Sequence, residues 1–199
     1  MAFLSRPRLN VSTRRSRSSS IHFRRALVLF CMLLSTGNFS PIWSQSEGPT
    51  EYQVKAAFVY NFAKFVEWPA EAFNGNNGPM RFCILGESLV GPDLSRITQG
   101  KAIAGHPIQV VLNSRNLRDC HILFVSSSHS VPVKDIRENL SGAAVLTIGE
   151  TRDFAEQGGV IGFVIEDARV RFEINLQRAK QLRLIISSKL LSLAKRIIT

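Results

Sequence analysis

The sequence predicts an α/β domain with a mostly parallel central sheet flanked by helices, followed by a C-terminal β-hairpin and a final helix. Short apolar runs alternate with helical or polar segments over residues 80–148, the order typical of a parallel sheet. Three of these runs are apolar without alternation, as in strands that are covered on both faces. After residue 160 two strand-like runs lie only two residues apart, which indicates a hairpin.

Residues 1–44 are predicted to be a cleaved signal peptide. They contain seven Arg and no acidic residue, and Arg24-Arg25 precede the apolar run Ala26–Leu34. A membrane-spanning helix needs about 20 apolar residues, so this run is short for an anchor, although an uncleaved anchor remains the alternative. It has the length of a signal-peptide core. We place cleavage after Ser44, with Gly37 as the alternative, and expect residues 45–199 to form a single domain in the periplasm.

The net charge of the whole chain, +10, would suggest a nucleic-acid partner. Residues 45–199, however, contain 18 basic and 15 acidic side chains, a net charge of +3. The basic excess therefore belongs mainly to the leader, and we expect no nucleic-acid partner. A hydrophobic content of 45% also excludes intrinsic disorder.

The first element is predicted to be an amphipathic helix over 52–68. Its apolar residues recur at steps of four, four and three: Val54, Phe58, Phe62 and Phe65. Lys55 is expected off this face. Pro69 disfavours helical geometry at the preceding residue, so the helix should end near Trp68. Tyr60 lies off the apolar face and Trp68 at the helix end, so these two aromatic side chains are candidates for contact with a ligand or partner.

A turn-rich loop over 74–79 then leads into alternating strands and helices. The predicted strands are Met80–Leu85, His106–Leu112, Cys120–Val125 and Ala143–Ile148. The predicted helices between them are Pro92–Gln99 and Val133–Leu140. This alternation supports a parallel sheet with helices on both sides.

The hairpin is predicted from Val160–Glu166 and Arg169–Asn175, which flank Asp167-Ala168. The second strand alternates, so one face is apolar and the other is expected to be charged and exposed. The exposed face consists of Arg169, Arg171, Glu173 and Asn175. Such a strand lies at or near a sheet edge, and it is either a solvated edge or a surface for protein binding.

A final helix is predicted after the hairpin, capped by Ser187 or Ser188. Its apolar stripe would consist of Leu190, Leu193, Ala194 and Ile197.

Two cysteines, Cys83 and Cys120, remain once the leader and Cys31 are removed. An even count in an oxidising compartment predicts a disulfide between them, although two separate buried thiols are the alternative. Since there is no CxxC motif, a thiol-exchange enzyme is disfavoured.

No catalytic or cofactor-binding pattern is apparent. The histidines form neither HxH nor HExxH, and the glycines do not form a nucleotide-binding fingerprint, so we expect no metal and no cofactor. His121 is interpreted as a hydrogen-bonded core residue. The segment 126–130 is rich in serine but lacks GxSxG, which favours a polar loop over a nucleophile elbow. The sequence therefore indicates a protein that is not an enzyme.

Three segments together resemble the YfiR family of periplasmic proteins: AAFVYNFAKFVEWP from Ala56, VRFEINL from Val170 and ISSKLLSLA from Ile186. CHILFV, beginning at Cys120, lies between them, and the resemblance extends from Tyr52 to Ile198. It implies an α/β domain without enzymatic activity, often a homodimer. YfiR proteins inhibit an inner-membrane diguanylate cyclase by binding its periplasmic sensor domain, and an outer-membrane lipoprotein can sequester them.

The family pattern is not complete. Cys83 and Cys120 match one cysteine pair of the family, whereas a second pair, common near Gly158-Gly159, is absent. Arg183 stands where a glycine is common.

The leading hypothesis is a periplasmic regulator that inhibits a diguanylate cyclase, and thereby controls cyclic di-GMP and biofilm formation, through the face of Arg169, Arg171, Glu173 and Asn175. The alternative is a binding module for a small ligand, held at the carboxyl ends of the strands by residues 126–129 and Glu87. A hydrolase that uses Ser128 is the third hypothesis.

Overall fold

An eight-stranded sheet organises residues 48–73 and 78–199, the part of the chain that the computed structural model describes. The strands of the domain are β1 (Val66–Glu67), β2 (Met80–Leu85), β3 (Ala102–Ile103), β4 (His106–Leu112), β5 (Ile122–Val125), β6 (Leu146–Gly149), β7 (Ile161–Glu166), β8 (Arg169–Asn175), β9 (Ile185–Ile186) and β10 (Arg196–Ile198). The helices are α1 (Glu51–Phe62), α2 (Val90–Thr98), α3 (Val133–Asn139), α4 (Leu176–Gln181) and α5 (Ser188–Leu191). The predicted signal peptide and residues 74–77 of the predicted loop lie outside the described residues.

The strand order is β10-β8-β7-β6-β5-β2-β4-β3. Strands β2, β4, β5, β6 and β7 are parallel, while β8 is antiparallel to β7 and β3 to β4. The predicted fold class is therefore confirmed. From β2 the chain continues to β4, on one side of β2 in the sheet. From β5, on the other side of β2, it continues to β6 in the opposite direction. The strand order therefore reverses between the neighbouring strands β2 and β5. In open α/β sheets, ligands bind beside the carboxyl ends of the strands at such a point.

Two apolar layers cover the two faces of the sheet, which explains why the central strands are apolar throughout. Phe82, Ile84 and Phe124 belong to the layer that contains the buried residues of α1 and α2. Their chain neighbours point to the opposite face because strand side chains alternate. That face includes Leu85 and Leu123, which pack with the buried residues of α3.

The first helix is shorter than its periodicity predicts. It ends at Phe62, where the N–H groups of Lys64 and Phe65 bond back to Asn61 and Phe62 in tight turns. The strand β1 follows and pairs antiparallel with β9. The prediction of a helix to Trp68 is wrong because β9, more than a hundred residues later in the chain, supplies backbone partners that the local pattern does not reveal.

The C-terminal segment also differs from the prediction. Ser187 caps α5 as predicted, since its side chain accepts a bond from the N–H of Leu190. The helix then stops at Leu191, and Leu193, expected on its apolar stripe, is 57% exposed. The last residues instead form β10, which pairs in parallel with β8. Without β10, the backbone N–H and C=O groups on one side of β8 would have no strand partner. Pairing with β10 supplies partners for them.

The hairpin is confirmed, with Glu166 opposite Arg169. Both turn residues have positive φ angles, 49° at Asp167 and 57° at Ala168. That combination matches the type I′ turn favoured by the twist of two-residue hairpins. Arg183 also has a positive φ, 57°, so this position keeps a backbone conformation that a glycine adopts freely.

Candidate functional site

The hairpin presents a charged surface beside the edge of the sheet. We define the hairpin surface as Glu166 of β7, Arg169 and Arg171 of β8, and Lys195, which precedes β10. Both arginines are exposed, and neither forms an ion pair with another described residue. Glu166 accepts a contact of 2.9 Å from the Lys195 ammonium. This bond and the nearby positive charge of Arg171 lower the pKa of Glu166.

The predicted exposed face of β8 is wrong for Glu173 and Asn175. Both residues are buried and already have partners within the chain. The amide of Asn175 donates to the carbonyl of Ala155 at 2.8 Å, and its oxygen accepts from the N–H of Arg178 at the start of α4. Of the four residues predicted to bind a partner, Arg169 and Arg171 are therefore the ones whose side chains are exposed.

Arg196 covers Glu173 and fixes the last strand. Its Nε and Nη2 donate to the two carboxylate oxygens of Glu173 at 3.1 and 2.7 Å, and its Nη1 contacts Glu156 at 2.5 Å. The bonds to Glu173 and then Glu156 raise the pKa of Arg196. These ion pairs of Arg196 were not predicted, because residues 195–197 were assigned to a helix. The β-branched pair Ile197-Ile198 was a weak signal for a strand.

The two aromatic candidates lie apart from the hairpin tip. Tyr60 is half-buried on α1, with the ammonium groups of Lys64 and Lys101 at 4.1 and 4.9 Å from its ring centre. Trp68 donates its indole N–H to the carbonyl of His121 at 3.2 Å. His121 directly precedes β5, so Trp68 lies at the amino ends of the parallel strands. The hairpin tip follows the carboxyl end of β7. Trp68 and the tip therefore lie at opposite ends of the parallel strands.

His121 is a buried core residue, as predicted. Its Nδ1 accepts a bond of 3.1 Å from the N–H of Arg81, so the neutral ring carries its proton on Nε2. The Phe73 ring stacks between the imidazoles of His106 and His121, with centroids 3.9 and 4.4 Å away. Burial lowers the pKa of His121; the Ala72 carbonyl partly opposes this, and the charges of His106 and Arg81 add to it.

The predicted disulfide between Cys83 and Cys120 is confirmed. Cys83 lies in β2 and Cys120 lies two residues before the neighbouring strand β5, so the bond links two central elements of the sheet. Both residues are buried in the same apolar layer as Leu123 and Ile136. Such burial is typical of a structural bond and not of a redox-exchange site.

A cavity of about 440 Å³ opens at the carboxyl ends of the central strands, at the point where the strand order reverses. We call it the switch-point cavity. The residues that line it are Tyr52, Glu87, Ser88, Leu89, Ser126, Ser127, Ser128 and Glu150. It thus brings together Glu87 and three of the residues proposed for a ligand site, whereas His129 of the predicted set is not among the lining residues.

Ser126 and Glu150 form the buried floor of this cavity, and Glu150 belongs to an ion pair that was not predicted from the sequence. The Lys55 ammonium contacts the Glu150 carboxylate at 2.5 Å, and the two side chains are only 6% and 7% exposed. Burial opposes the charged form of each group, but the hydrogen bonds and opposite charges outweigh it. The pKa of Lys55 is therefore raised and that of Glu150 lowered. Lys55 also contacts Glu51, one helical turn away, at 2.6 Å.

The serines around the cavity hold two loops together. The hydroxyl of Ser128 lies 2.9 Å from the Glu87 carbonyl and accepts the Glu87 N–H at 2.8 Å. Glu150 accepts bonds from the hydroxyl of Ser126 and from the N–H and hydroxyl of Ser127. Within the described residues, the Ser128 hydroxyl bonds to backbone groups and to Ser126 and has no histidine partner, so this geometry does not support the hydrolase hypothesis.

Comparison with known proteins identifies the family. The model of the DUF4154 family, described as YfiR/HmsC-like, matches residues 52–195. The chain belongs to this family. YfiR-like proteins are regulatory rather than catalytic and periplasmic, and membership supports a role in cyclic di-GMP signalling in general. No curated protein matches the sequence.

Two solved structures are similar to parts of this chain. A conserved domain protein from Vibrio cholerae has a TM-score of 0.52 and 8% sequence identity, and the match covers 74% of this chain. An ABC domain in complex with L-Trp from Streptococcus pneumonia has a TM-score of 0.46, 12% identity and the same 74% coverage of this chain. The present chain spans 60% of the length of each. At this identity, the first likeness concerns the fold alone.

Over residues 48–73 and 78–199, the structure contains no helix that is both long and apolar enough to cross a membrane.

Proposed function

We propose that this protein restrains an inner-membrane diguanylate cyclase by binding the periplasmic sensor domain of that enzyme. The observation that carries the proposal is the family match over residues 52–195, nearly the whole described domain. Binding of this protein would keep the cyclase inactive, and release would raise cyclic di-GMP and promote biofilm formation.

The hairpin surface is the contact site we propose. Arg169 and Arg171 present two guanidinium groups that form no ion pair with any described side chain, so binding need not break an existing pair. Guanidinium groups bind carboxylates in a bidentate manner, which favours an acidic patch on the partner. Val164, which lies directly opposite Arg171 and is half-buried, adds apolar area on the face of the two arginines. Arginine contacts next to apolar area are frequent in the energetic centres of protein interfaces.

The test measures cellular cyclic di-GMP in the native host with the gene intact, deleted, and restored with or without residues 1–44. We expect deletion to raise the cyclic di-GMP level and the full-length gene to lower it again. The gene without residues 1–44 should not restore control, because its product should stay outside the periplasm. Unchanged cyclic di-GMP on deletion, with expression verified in the intact strain, would refute the proposal.

The contact site is tested by charge reversal. Arg171→Glu should leave folding intact, because the side chain is exposed, but should fail to restore low cyclic di-GMP. Arg115→Glu is the matched control. Arg115 is also exposed and follows β4, five strand positions from β8 in the sheet, or roughly 24 Å at about 4.8 Å per strand. Full restoration by both variants would remove the hairpin surface from the proposal while leaving the regulatory role in place.

Two further parts of the proposal concern assembly. We expect a homodimer, which light scattering coupled to size-exclusion chromatography would measure directly. We also expect an outer-membrane lipoprotein to sequester the protein and thereby release the cyclase. Deletion of that lipoprotein should then lower cyclic di-GMP only in cells that contain this protein.

A further inference from the structure

The switch-point cavity has the features of a small-molecule site that is independent of the hairpin surface. It combines a buried polar floor with exposed apolar side chains at its mouth, Tyr52 at 38% and Leu89 at 61% exposure. Small-molecule sites typically pair apolar walls with a few fixed polar groups. The cavity also lies beside β2 and β5, where the topology of an open sheet leaves a crevice.

Two serine hydroxyls in the floor each face two acceptors. The single hydroxyl proton of Ser126 faces both the Glu87 carbonyl at 2.8 Å and the Glu150 carboxylate at 3.1 Å. The single proton of Ser128 likewise faces the Glu87 carbonyl at 2.9 Å and the hydroxyl oxygen of Ser126 at 3.3 Å. Each hydroxyl can donate to one acceptor at a time. When Ser126 donates to Glu150 and Ser128 donates to the Glu87 carbonyl, both protons are used within the chain. The cluster then offers a ligand free lone pairs but no hydroxyl proton, which favours a ligand that donates hydrogen bonds.

The charges around the cavity favour the same class of ligand. Glu87 and Glu150 contribute two carboxylates to the lining, and the Lys55 ammonium, which lies outside the lining, pairs with Glu150 and also with Glu51. Among the described residues, Glu87 has no ion-pair partner, and the lining set includes no Lys, Arg or His. The start of α2 lacks a side-chain cap and would favour an anion. Its partial charge of about half a unit is smaller than the local net charge of the carboxylates.

We propose that the switch-point cavity binds a small organic amine that carries one ammonium group on an apolar body. The ammonium would donate to Glu87 and to the acceptors around Ser126. The apolar body would lie against the Tyr52 ring and Leu89. The Lys55 ammonium already lies 5.8 Å from the centre of the Tyr52 ring, so we assign this ring to the apolar body and not to the ammonium of the ligand.

Three probes of similar size, each with one phenyl ring, test this assignment: benzylamine, benzyl alcohol and benzoate. They differ in charge, from positive through neutral to negative, but share one apolar body. Each is titrated into isotope-labelled protein that is expressed from the complete gene and purified from the periplasm, and amide chemical shifts are followed by NMR. We expect benzylamine to shift the amides of residues 86–89 and 126–128 with a dissociation constant on the order of 1 mM, typical of so small a ligand. The other two probes should bind at least about tenfold more weakly.

Two exposed carboxylates provide the variant and its control. Glu87→Gln should weaken benzylamine binding at least about fivefold, because it replaces a charged acceptor with a neutral one. Glu138→Gln, on the exposed side of α3 and outside the cavity lining, should leave binding unchanged. The proposal is overturned if benzylamine causes no saturable shift up to about 20 mM. It is equally overturned if benzoate or benzyl alcohol binds as well, if the shifts lie elsewhere, or if Glu87→Gln binds normally.

Discussion

Lys55 and Glu150 form a buried ion pair, so substitutions of the two residues should have non-additive effects on the free energy of unfolding. Replacing Lys55 with Met leaves the Glu150 carboxylate buried without a cation, although three bonds from Ser126 and Ser127 remain. Removal of one member of a buried ion pair typically costs about 3–5 kcal/mol. We therefore expect Lys55→Met to lower the free energy of unfolding by roughly 3 kcal/mol, since those three bonds offset part of the cost.

The converse substitution should cost less. In Glu150→Gln, Lys55 keeps its 2.6 Å contact with Glu51, whose side chain is 48% exposed and therefore better solvated. A loss of about 2 kcal/mol is expected. The double variant should lose about 2 kcal/mol less than the sum of the single variants, because no charge is then left buried without its partner.

Equilibrium unfolding in urea at pH 7 measures all four free energies. Trp68 provides the fluorescence signal, since its indole N–H is bonded to the His121 carbonyl in the folded domain. Lys134→Met is the control. Lys134 contacts Glu138 at 3.9 Å on an exposed helix face, and such pairs contribute about 0–1 kcal/mol. Additive effects of Lys55→Met and Glu150→Gln, within about 0.3 kcal/mol, would refute the coupling.

Four further predictions concern other parts of the domain. Ala168→Gly should raise the free energy of unfolding by about 1 kcal/mol, because Ala168 has a positive φ of 57°; a lower urea midpoint would contradict this. Gly149→Ala should lower it by about 1–3 kcal/mol, because the added methyl group would overlap the Phe154 ring, and an unchanged melting temperature would show that the ring can move away. His121 has a lowered pKa in the folded state, so its contribution to stability is complete above the unfolded pKa of about 6.5 and is lost as pH falls towards the folded value. As pH is lowered below about 6.5, the melting temperature of the wild type should therefore fall more than that of His121→Asn, and equal falls would contradict this. Replacing both Cys83 and Cys120 with Ser should cost about 4 kcal/mol in the chain-entropy account for a separation of 37 residues, and equal urea midpoints would contradict that account.

The central strands were predictable because burial on both faces leaves an apolar run that no alternation interrupts. Cys83, between Phe82 and Ile84, shows why: its two neighbours face one apolar layer while it faces the other. The hairpin was predictable for a different reason. Its alternation is local, and the two-residue spacing at Asp167-Ala168 restricts the connection to a tight turn.

The misassigned segments share a physical cause. Residues 63–68 and 192–198 carry apolar residues at helical spacing, but each contains a short strand whose backbone partner lies elsewhere in the chain. Strand β1 needs β9, and β10 needs β8. Tertiary pairing therefore overrides local periodicity in both segments.

The same limit applies to the sites. A lysine on a helix normally indicates an exposed position, and the partner of Lys55 lies 95 residues further along the chain. Glu173 illustrates the reverse error. The alternation of β8 predicted that the Glu173 side chain is exposed. Arg196 covers it instead, from a strand that the local pattern did not reveal.

The two proposed surfaces can be tested independently because the sheet separates them. Arg171 belongs to β8, while Glu87 follows β2, four strand positions away in the sheet. At about 4.8 Å per strand this separation is roughly 19 Å, beyond the range at which substitutions usually interact. Arg171→Glu should therefore change control of cyclic di-GMP without changing benzylamine binding, and Glu87→Gln should change benzylamine binding at unchanged stability. If Glu87→Gln also altered cyclic di-GMP, the cavity and the hairpin surface would have to be coupled through the strands between them, since their side chains do not meet.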